Sequence, residues 1–162
     1  MKTIIIYATK YGFTQKCVEN LKEKIKGPVD VVNIKEPVEI KLSEYNQVII
    51  GGPIYIGKMQ KEIKEFCDTH VETLRNKRVG LFITCGFLDN FSEHLKNSFP
   101  NRLLDVAMVK KCFGGEINIT KMKFLDRLLT KMVIKMVAKE GKEPPKMLEE
   151  NIDVFAKAMN IL

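Results

Sequence analysis

Thr3-Ile4-Ile5-Ile6-Tyr7-Ala8-Thr9-Lys10-Tyr11-Gly12-Phe13-Thr14 is the stretch that decides the fold. Residues 3–7 form a continuous, largely apolar run that ends at Ala8-Thr9. Runs of this kind read as strands buried on both faces, as in a parallel sheet. A polar turn, Thr9-Lys10-Tyr11-Gly12, follows at once. A helix is then predicted over about 13–26, with Cys17, Val18, Leu21 and Ile25 as its apolar stripe and Gly27-Pro28 as its stop.

The same rhythm continues along the chain. Strands are predicted at 29–34, 47–51 and 79–84, and a fifth at about 106–113 with a resumption at 116–119 beyond Gly114-Gly115. Helices are expected at about 58–74, 91–98, 122–139 and 146–160. Asn90-x-x-Glu93 has the form of a capping box for the helix at 91–98, and Gly141 with Pro144-Pro145 separates the last two. Alternating strands and helices imply an α/β three-layer sandwich, in which a five-stranded parallel sheet of order 2-1-3-4-5 carries helices on both faces. The 162 residues suit a single domain, 1–162, with no internal repeat, low-complexity tract or linker.

Bulk properties exclude several classes. No apolar run approaches the roughly 20 residues that span a bilayer, and the apolar stretch at the N-terminus is too short for a secretion signal. A cytoplasmic location, with the inner membrane face as a peripheral site, is the expectation. The cysteines, Cys17, Cys67, Cys85 and Cys112, have no Cys-x-x-Cys spacing, and the histidines are His70 and His94 alone. No zinc or iron–sulfur site is expected; buried free thiols are. The net charge of +7 suits an anionic partner, but charge alone does not choose among nucleic acid, anionic lipid and acidic protein.

In open α/β sheets ligands bind beyond the carboxyl ends of the strands, at the switch in strand order. Three loops meet that description. In the first, Thr9-Lys10-Tyr11-Gly12-Phe13-Thr14, two hydroxyls and the free N–H groups of a helix start can cradle an anion. Gly12 admits a close backbone approach or a positive φ; the alternative is an ordinary βα turn capped by Thr. In the second, Gly52-Pro53-Ile54-Tyr55-Ile56-Gly57, an apolar strand end carries a tyrosine that can cover a flat ring or simply cap the core. In the third, Thr84-Cys85-Gly86-Phe87-Leu88-Asp89-Asn90, backbone groups can read the edge of a heterocycle, with Phe87 as a second wall. Asp89 reads as a turn residue, and no catalytic acid or base is assigned.

Gly52 to Lys58 also reads Gly-x-x-x-x-Gly-Lys, close to a nucleotide-binding phosphate loop. The position that should carry Ser or Thr for magnesium is Met59, and Pro53 lacks an N–H that such a cradle uses. No Gly-x-Gly-x-x-Gly follows a strand, so a dinucleotide fingerprint is missing as well.

Ile4-Ile5-Ile6-Tyr7-Ala8-Thr9-Lys10-Tyr11-Gly12-Phe13-Thr14 resembles the flavodoxin signature, in which a strand leads into Thr-x-x-Gly-x-Thr. The resemblance implies an FMN cofactor, with its phosphate held by Thr9, Lys10, Tyr11, Gly12, Phe13 and Thr14. The flavin ring would lie between Pro53, Ile54, Tyr55, Ile56 and Gly57 on one side and Thr84, Cys85, Gly86, Phe87, Asp89 and Asn90 on the other. Gly52-Pro53-Ile54-Tyr55-Ile56-Gly57, together with Gly114-Gly115-Glu116-Ile117 and Phe124-Leu125-Asp126-Arg127-Leu128, further resembles the flavodoxin-like menaquinone-dependent protoporphyrinogen oxidases.

Residues 121–139 place Phe124, Leu125, Leu128, Leu129, Met132, Val133, Met136 and Val137 at helical spacing, with Lys121, Lys123, Arg127, Lys131, Lys135 and Lys139 between them. This is an amphipathic pattern with a cationic face. It describes either a helix packed on the sheet or one that docks on an anionic membrane or partner. The sheet needs a cover after its fifth strand, which residues 146–160 can supply.

The expected function is that of an FMN-binding redox protein transferring electrons between partners, a redox partner protein or a quinone, with no nucleic acid. The alternative is an FMN-dependent oxidoreductase of the protoporphyrinogen-oxidase type, passing electrons from a porphyrinogen-like substrate to a quinone. A non-redox binding module is the third reading, and the ligand chemistry kept by all three loops speaks against it.

Overall fold

A computed structural model describes residues 1–86, 88–117, 120, 123–141 and 143–161. Its strands are β1 (Thr3–Tyr7), β2 (Val29–Asn33), β3 (Gln47–Tyr55), β4 (Lys58–Met59), β5 (Arg78–Thr84) and β6 (Val109–Cys112). Its α-helices are α1 (Phe13–Lys24), α2 (Lys61–Arg75), α3 (Phe91–Ser98), α4 (Asn101–Val106), α5 (Phe124–Lys139) and α6 (Glu149–Met159).

Five of the strands run parallel in the order β2-β1-β3-β5-β6. This is the expected doubly wound order, with a refinement. A two-residue β4 folds back antiparallel on the end of β3, pairing Ile54 with Met59 and Tyr55 with Lys58. The 47–51 strand therefore runs on to Tyr55, and the helix expected from 58 starts only at Lys61.

The pleat explains the sandwich. Successive side chains of a strand point to opposite faces, so Ile4 and Ile6 join one apolar cluster while Ile5 and Tyr7 join the other. The first cluster packs under α2, α3 and α4 through Ile63, Cys67, Leu74, Leu95 and Leu103. The second packs under α1 and α6 through Cys17, Val18, Leu21, Ile152, Phe155 and Met159. At its centre Phe82 stacks on Phe113 at 4.6 Å, and both rings meet Phe155 edge-on at 6.4 and 5.2 Å. Each fully buried aliphatic or aromatic side chain contributes about 1.5–3 kcal/mol by leaving water, so β1, whose five residues are all buried, is a principal anchor of the fold. All four cysteines are buried and carry no disulfide.

Three expectations need correction. The fifth parallel strand is only Val109–Cys112, because Val106 closes a short helix that follows Pro100 and buries Leu103. The chain does not resume as a strand at Glu116 and Ile117; Gly114, at φ 83°, turns it so that Gly114 bridges Met147 instead. Asn118 and Ile119, the end of that expected resumption, lie outside the described residues. Asn90 does precede α3, but at φ −112° and ψ 25° its side chain makes no cap bond. Its carbonyl accepts the His94 N–H at 2.9 Å instead.

The cover expected after the last strand is α6, seated against β5 and β6 by Ile152, Phe155, Ala156 and Met159. That releases α5, which buries none of its residues. Lys121 and Met122, at the start of the amphipathic segment, lie outside the described residues. No helix among the described residues is long and apolar enough to cross a membrane.

Candidate functional site

The three loops sit at the carboxyl ends of β1, β3 and β5, with residues 52–55 of the second still inside β3 and Thr84 closing β5, and side-chain contacts join them. In the first, Gly12 takes the left-handed conformation at φ 88° just before α1, and its N–H donates to Thr9 Oγ1 at 3.0 Å. The first turn of α1 contains no acid, and its leading N–H groups have no carbonyl partner within the helix. Helix start and glycine turn together favour an anion at this turn. Thr14, in the first turn of α1, is turned inward. It is buried, and its Oγ1 lies 2.9 Å from Oγ1 of the equally buried Thr84. The first and third loops are thereby hydrogen-bonded to each other.

The second loop is the end of β3 and its two-residue turn into β4. Ile56 and Gly57 have φ values of 48° and 72°, the twofold left-handed pattern that matches the strand twist. Gly57 adopts it freely. Ile56, β-branched, does so against steric resistance, and it holds an apolar side chain 70% exposed at the tip. Pro53, Ile54 and Tyr55 are half-buried below it. The ammonium of Lys10 lies over the Tyr55 ring, 3.2 Å from its centroid, which brings the first loop onto the second.

In the third loop Thr84 and Cys85 are buried, whereas Gly86, Asp89 and Asn90 are exposed; Phe87 lies outside the described residues. A support that the sequence did not announce stands behind this loop. A Cβ on Gly115 would come within 2.7 Å of the Gly86 Cα, so backbone packs on backbone there and only glycine fits. Cys85 and Gly86 also line an open pocket of about 250 Å³ shared with Pro144 and Pro145. Beneath it the Sγ atoms of Cys85 and Cys112 are 3.4 Å apart. The Cys85 S–H and the Gly114 N–H favour a thiolate there and bring the Cys112 thiol down to about 7 despite burial. Burial, aided by Cys112 and Glu116 near Cys17 and by Asp68 near Cys67, pushes those two thiols up to about 12.

The residue to which the sequence reading gave no site role is Asp126, in the first turn of α5. Its carboxylate accepts hydrogen bonds from the hydroxyls of Tyr11 and Tyr55 and pairs with Lys10 at 3.0 Å. These donors hold its carboxyl down to about 2. Desolvation, aided by the Asp126 bond, pushes the Tyr11 phenol up to about 12 and moves Tyr55 in the same direction. One signal was present in the sequence: Asp126 is the lone acid between 121 and 139.

Comparison with known proteins adds to this geometry. Over 146 residues the chain is 25% identical to the protoporphyrinogen IX dehydrogenase [quinone] of Escherichia coli K12, covering 84% of this chain and 80% of that protein. The fold matches a short-chain flavodoxin associated with a non-canonical PDU bacterial microcompartment, with a TM-score of 0.57, 13% identity and coverage of 98% and 96%. It also matches the flavodoxin of Streptococcus pneumonia TIGR4, with a TM-score of 0.55, 16% identity and coverage of 98% and 97%. The model of the flavodoxin domain family matches residues 4–144, spanning all three loops. The chain belongs to the flavodoxin domain family.

Proposed function

We propose that this flavodoxin-type chain binds one FMN across the three loops and uses it to pass electrons between partners. The observation that carries the reading is the convergence of the loops: Thr14 bonds Thr84, and Lys10 lies on Tyr55. Loops that converge at the switch of a doubly wound sheet form its ordinary ligand crevice. The residues fit the group. Gly12, Thr9 and the acid-free start of α1 suit a phosphate, with Lys10, Tyr11, Phe13 and Thr14 shaping the same turn. Pro53, Ile54, Tyr55, Ile56 and Gly57 offer an apolar platform for the ring, and Thr84, Cys85, Gly86, Asp89 and Asn90 the polar edge opposite. No adenosine-binding fingerprint accompanies them, which favours FMN over FAD.

The flavin supplies the electron chemistry. The protein's part is to hold the ring, to exclude water with Ile54, Tyr55 and Ile56, and to keep the surroundings apolar so that added negative charge on the ring is disfavoured.

The more specific reading is an oxidoreductase that takes electrons from a porphyrinogen-like substrate and delivers them to a quinone. The name of the E. coli relative supports it. So does α5, whose exposed apolar and cationic residues suit peripheral contact of segment 121–139 with an anionic membrane, where quinones reside. Heat release and chromatography of the bound flavin, with titration of FMN into flavin-free protein, test the cofactor. A colourless protein that cannot be reconstituted overturns it. Anaerobic assays with a porphyrinogen and a quinone separate the enzyme from a carrier that exchanges electrons with proteins only.

A further inference from the structure

Helix α5 turns an unusual side toward the protein. Its half-buried residues, Asp126, Arg127, Thr130, Ile134 and Val137, lie along one side of the helix and include its acid and a cation. The opposite side exposes Leu125, Leu128, Leu129, Met132 and Met136, from 48% to 70% accessible. Lys131, Lys135 and Lys139, also exposed, run beside that stripe at four-residue spacing. A helix that merely covered a sheet would face the other way.

Charge identifies the occupant. The described helix and its preceding residue carry five cations, Lys123, Arg127, Lys131, Lys135 and Lys139, and one acid, Asp126. That acid is turned inward onto Lys10, Tyr11 and Tyr55. The outer face therefore combines an apolar stripe with positive charge. An anionic phospholipid surface matches both: the apolar side chains enter the boundary between headgroup and acyl chain, and the lysines reach back to the headgroups. A protein partner would instead need its own apolar groove edged with acids.

The Asp126 carboxylate spans two loops of the flavin site, with Lys10 and Tyr11 on the first and Tyr55 on the second. Charge-assisted bonds of this kind are short, strong and directional. We propose that Asp126 tethers α5 to the flavin loops, so that α5, lying on an anionic bilayer, carries residues 9–14 and 53–57 to the lipid surface. The inference rests on the membrane-contact reading above and deepens it: Asp126 is a positioning residue that turns lipid attachment into a defined placement of the flavin site.

Hydrogen exchange followed by mass spectrometry on the full chain tests the tether. The chain is mixed with vesicles of phosphatidylglycerol or of phosphatidylcholine. Phosphatidylglycerol vesicles are expected to slow exchange in 124–139 and also in 9–14 and 53–57, an effect lost in high salt and not produced by phosphatidylcholine. In Asp126→Asn the protection of 124–139 should persist while that of the two loops is lost. Tyr11→Phe combined with Tyr55→Phe, which leaves the carboxylate in place, should lose part of the loop protection. Undiminished loop protection in Asp126→Asn overturns the proposal. So does a wild type that ignores phosphatidylglycerol, or one whose α5 is protected without lipid in a concentration-dependent dimer. FMN titration is read separately: a chain that binds FMN without lipid-dependent loop protection refutes the tether alone, and one that shows the protection without binding FMN refutes the cofactor alone.

Discussion

Thr14 and Thr84, seventy positions apart in the chain, place their Oγ1 atoms 2.9 Å from each other in a fully buried contact. One hydroxyl proton is spent on this bond, so Thr14 serves the architecture of the site. Removing one partner strands the other in the interior, at a cost of about 1–3 kcal/mol. Thr14→Ala is therefore expected to lower the stability of the flavin-free protein in urea and to weaken FMN binding by calorimetry. Thr84→Ser, which keeps the hydroxyl, should change both much less. Unaltered stability in Thr14→Ala would show the bond to be incidental.

Ile56 at φ 48° occupies the first turn position of the β3–β4 hairpin, where Asn is at ease and a β-branched residue is strained. Left-handed backbone costs a non-glycine residue roughly 1–2 kcal/mol. Ile56→Asn is expected to raise the melting temperature of the flavin-free protein by roughly 2–4 °C for each kcal/mol recovered, while FMN binds less tightly for want of apolar cover. A drop in melting temperature would mean that Ile56 contributes more by contact than it loses by strain.

The Asp126 cluster makes a prediction about pH. A carboxyl whose folded pKa is depressed contributes stability that is present above its unfolded value, here 3.8, and lost as pH falls through about 2. The tether should thus be indifferent to pH between 5 and 8 and open only in strong acid. The Tyr11 phenol, pushed to about 12 by burial and by the Asp126 bond, should fall part of the way in Asp126→Asn, because burial still holds it above its ordinary value. Ultraviolet titration of tyrosinate, with Tyr11→Phe as the control that removes the signal, measures it.

The buried thiols should separate by reactivity. Thiolate at the Cys85–Cys112 pair grows as pH rises through about 7, whereas Cys17 and Cys67 require about 12. Alkylation by iodoacetamide, read by peptide mass spectrometry, is expected to label the pair first, with a rate that rises through neutrality. Cys85→Ala, which removes the S–H donor, should move the rise at Cys112 to higher pH. Equal labelling of all four cysteines would indicate that access, not ionisation, governs the reaction.

What the sequence determined by itself is local and periodic. The largely apolar β1, the stripe of Cys17, Val18, Leu21 and Ile25, and the positions of the three loops followed from patterns within a dozen residues, because burial on one or both faces imposes its period on neighbouring side chains. The surplus amphipathic helix was legible too, since α6 met the sheet's need for a cover and left α5 over. Tertiary structure decided the rest. The β4 hairpin, the short α4 in place of a longer last strand and the bridge from Gly114 to Met147 depend on what each segment meets in space. The Thr14–Thr84 bond and the Asp126 cluster join residues 70, 71 and 115 positions apart. No periodicity reports such pairs, because a hydrogen bond needs only atoms brought within about 3 Å, and that proximity exists only after the chain has closed.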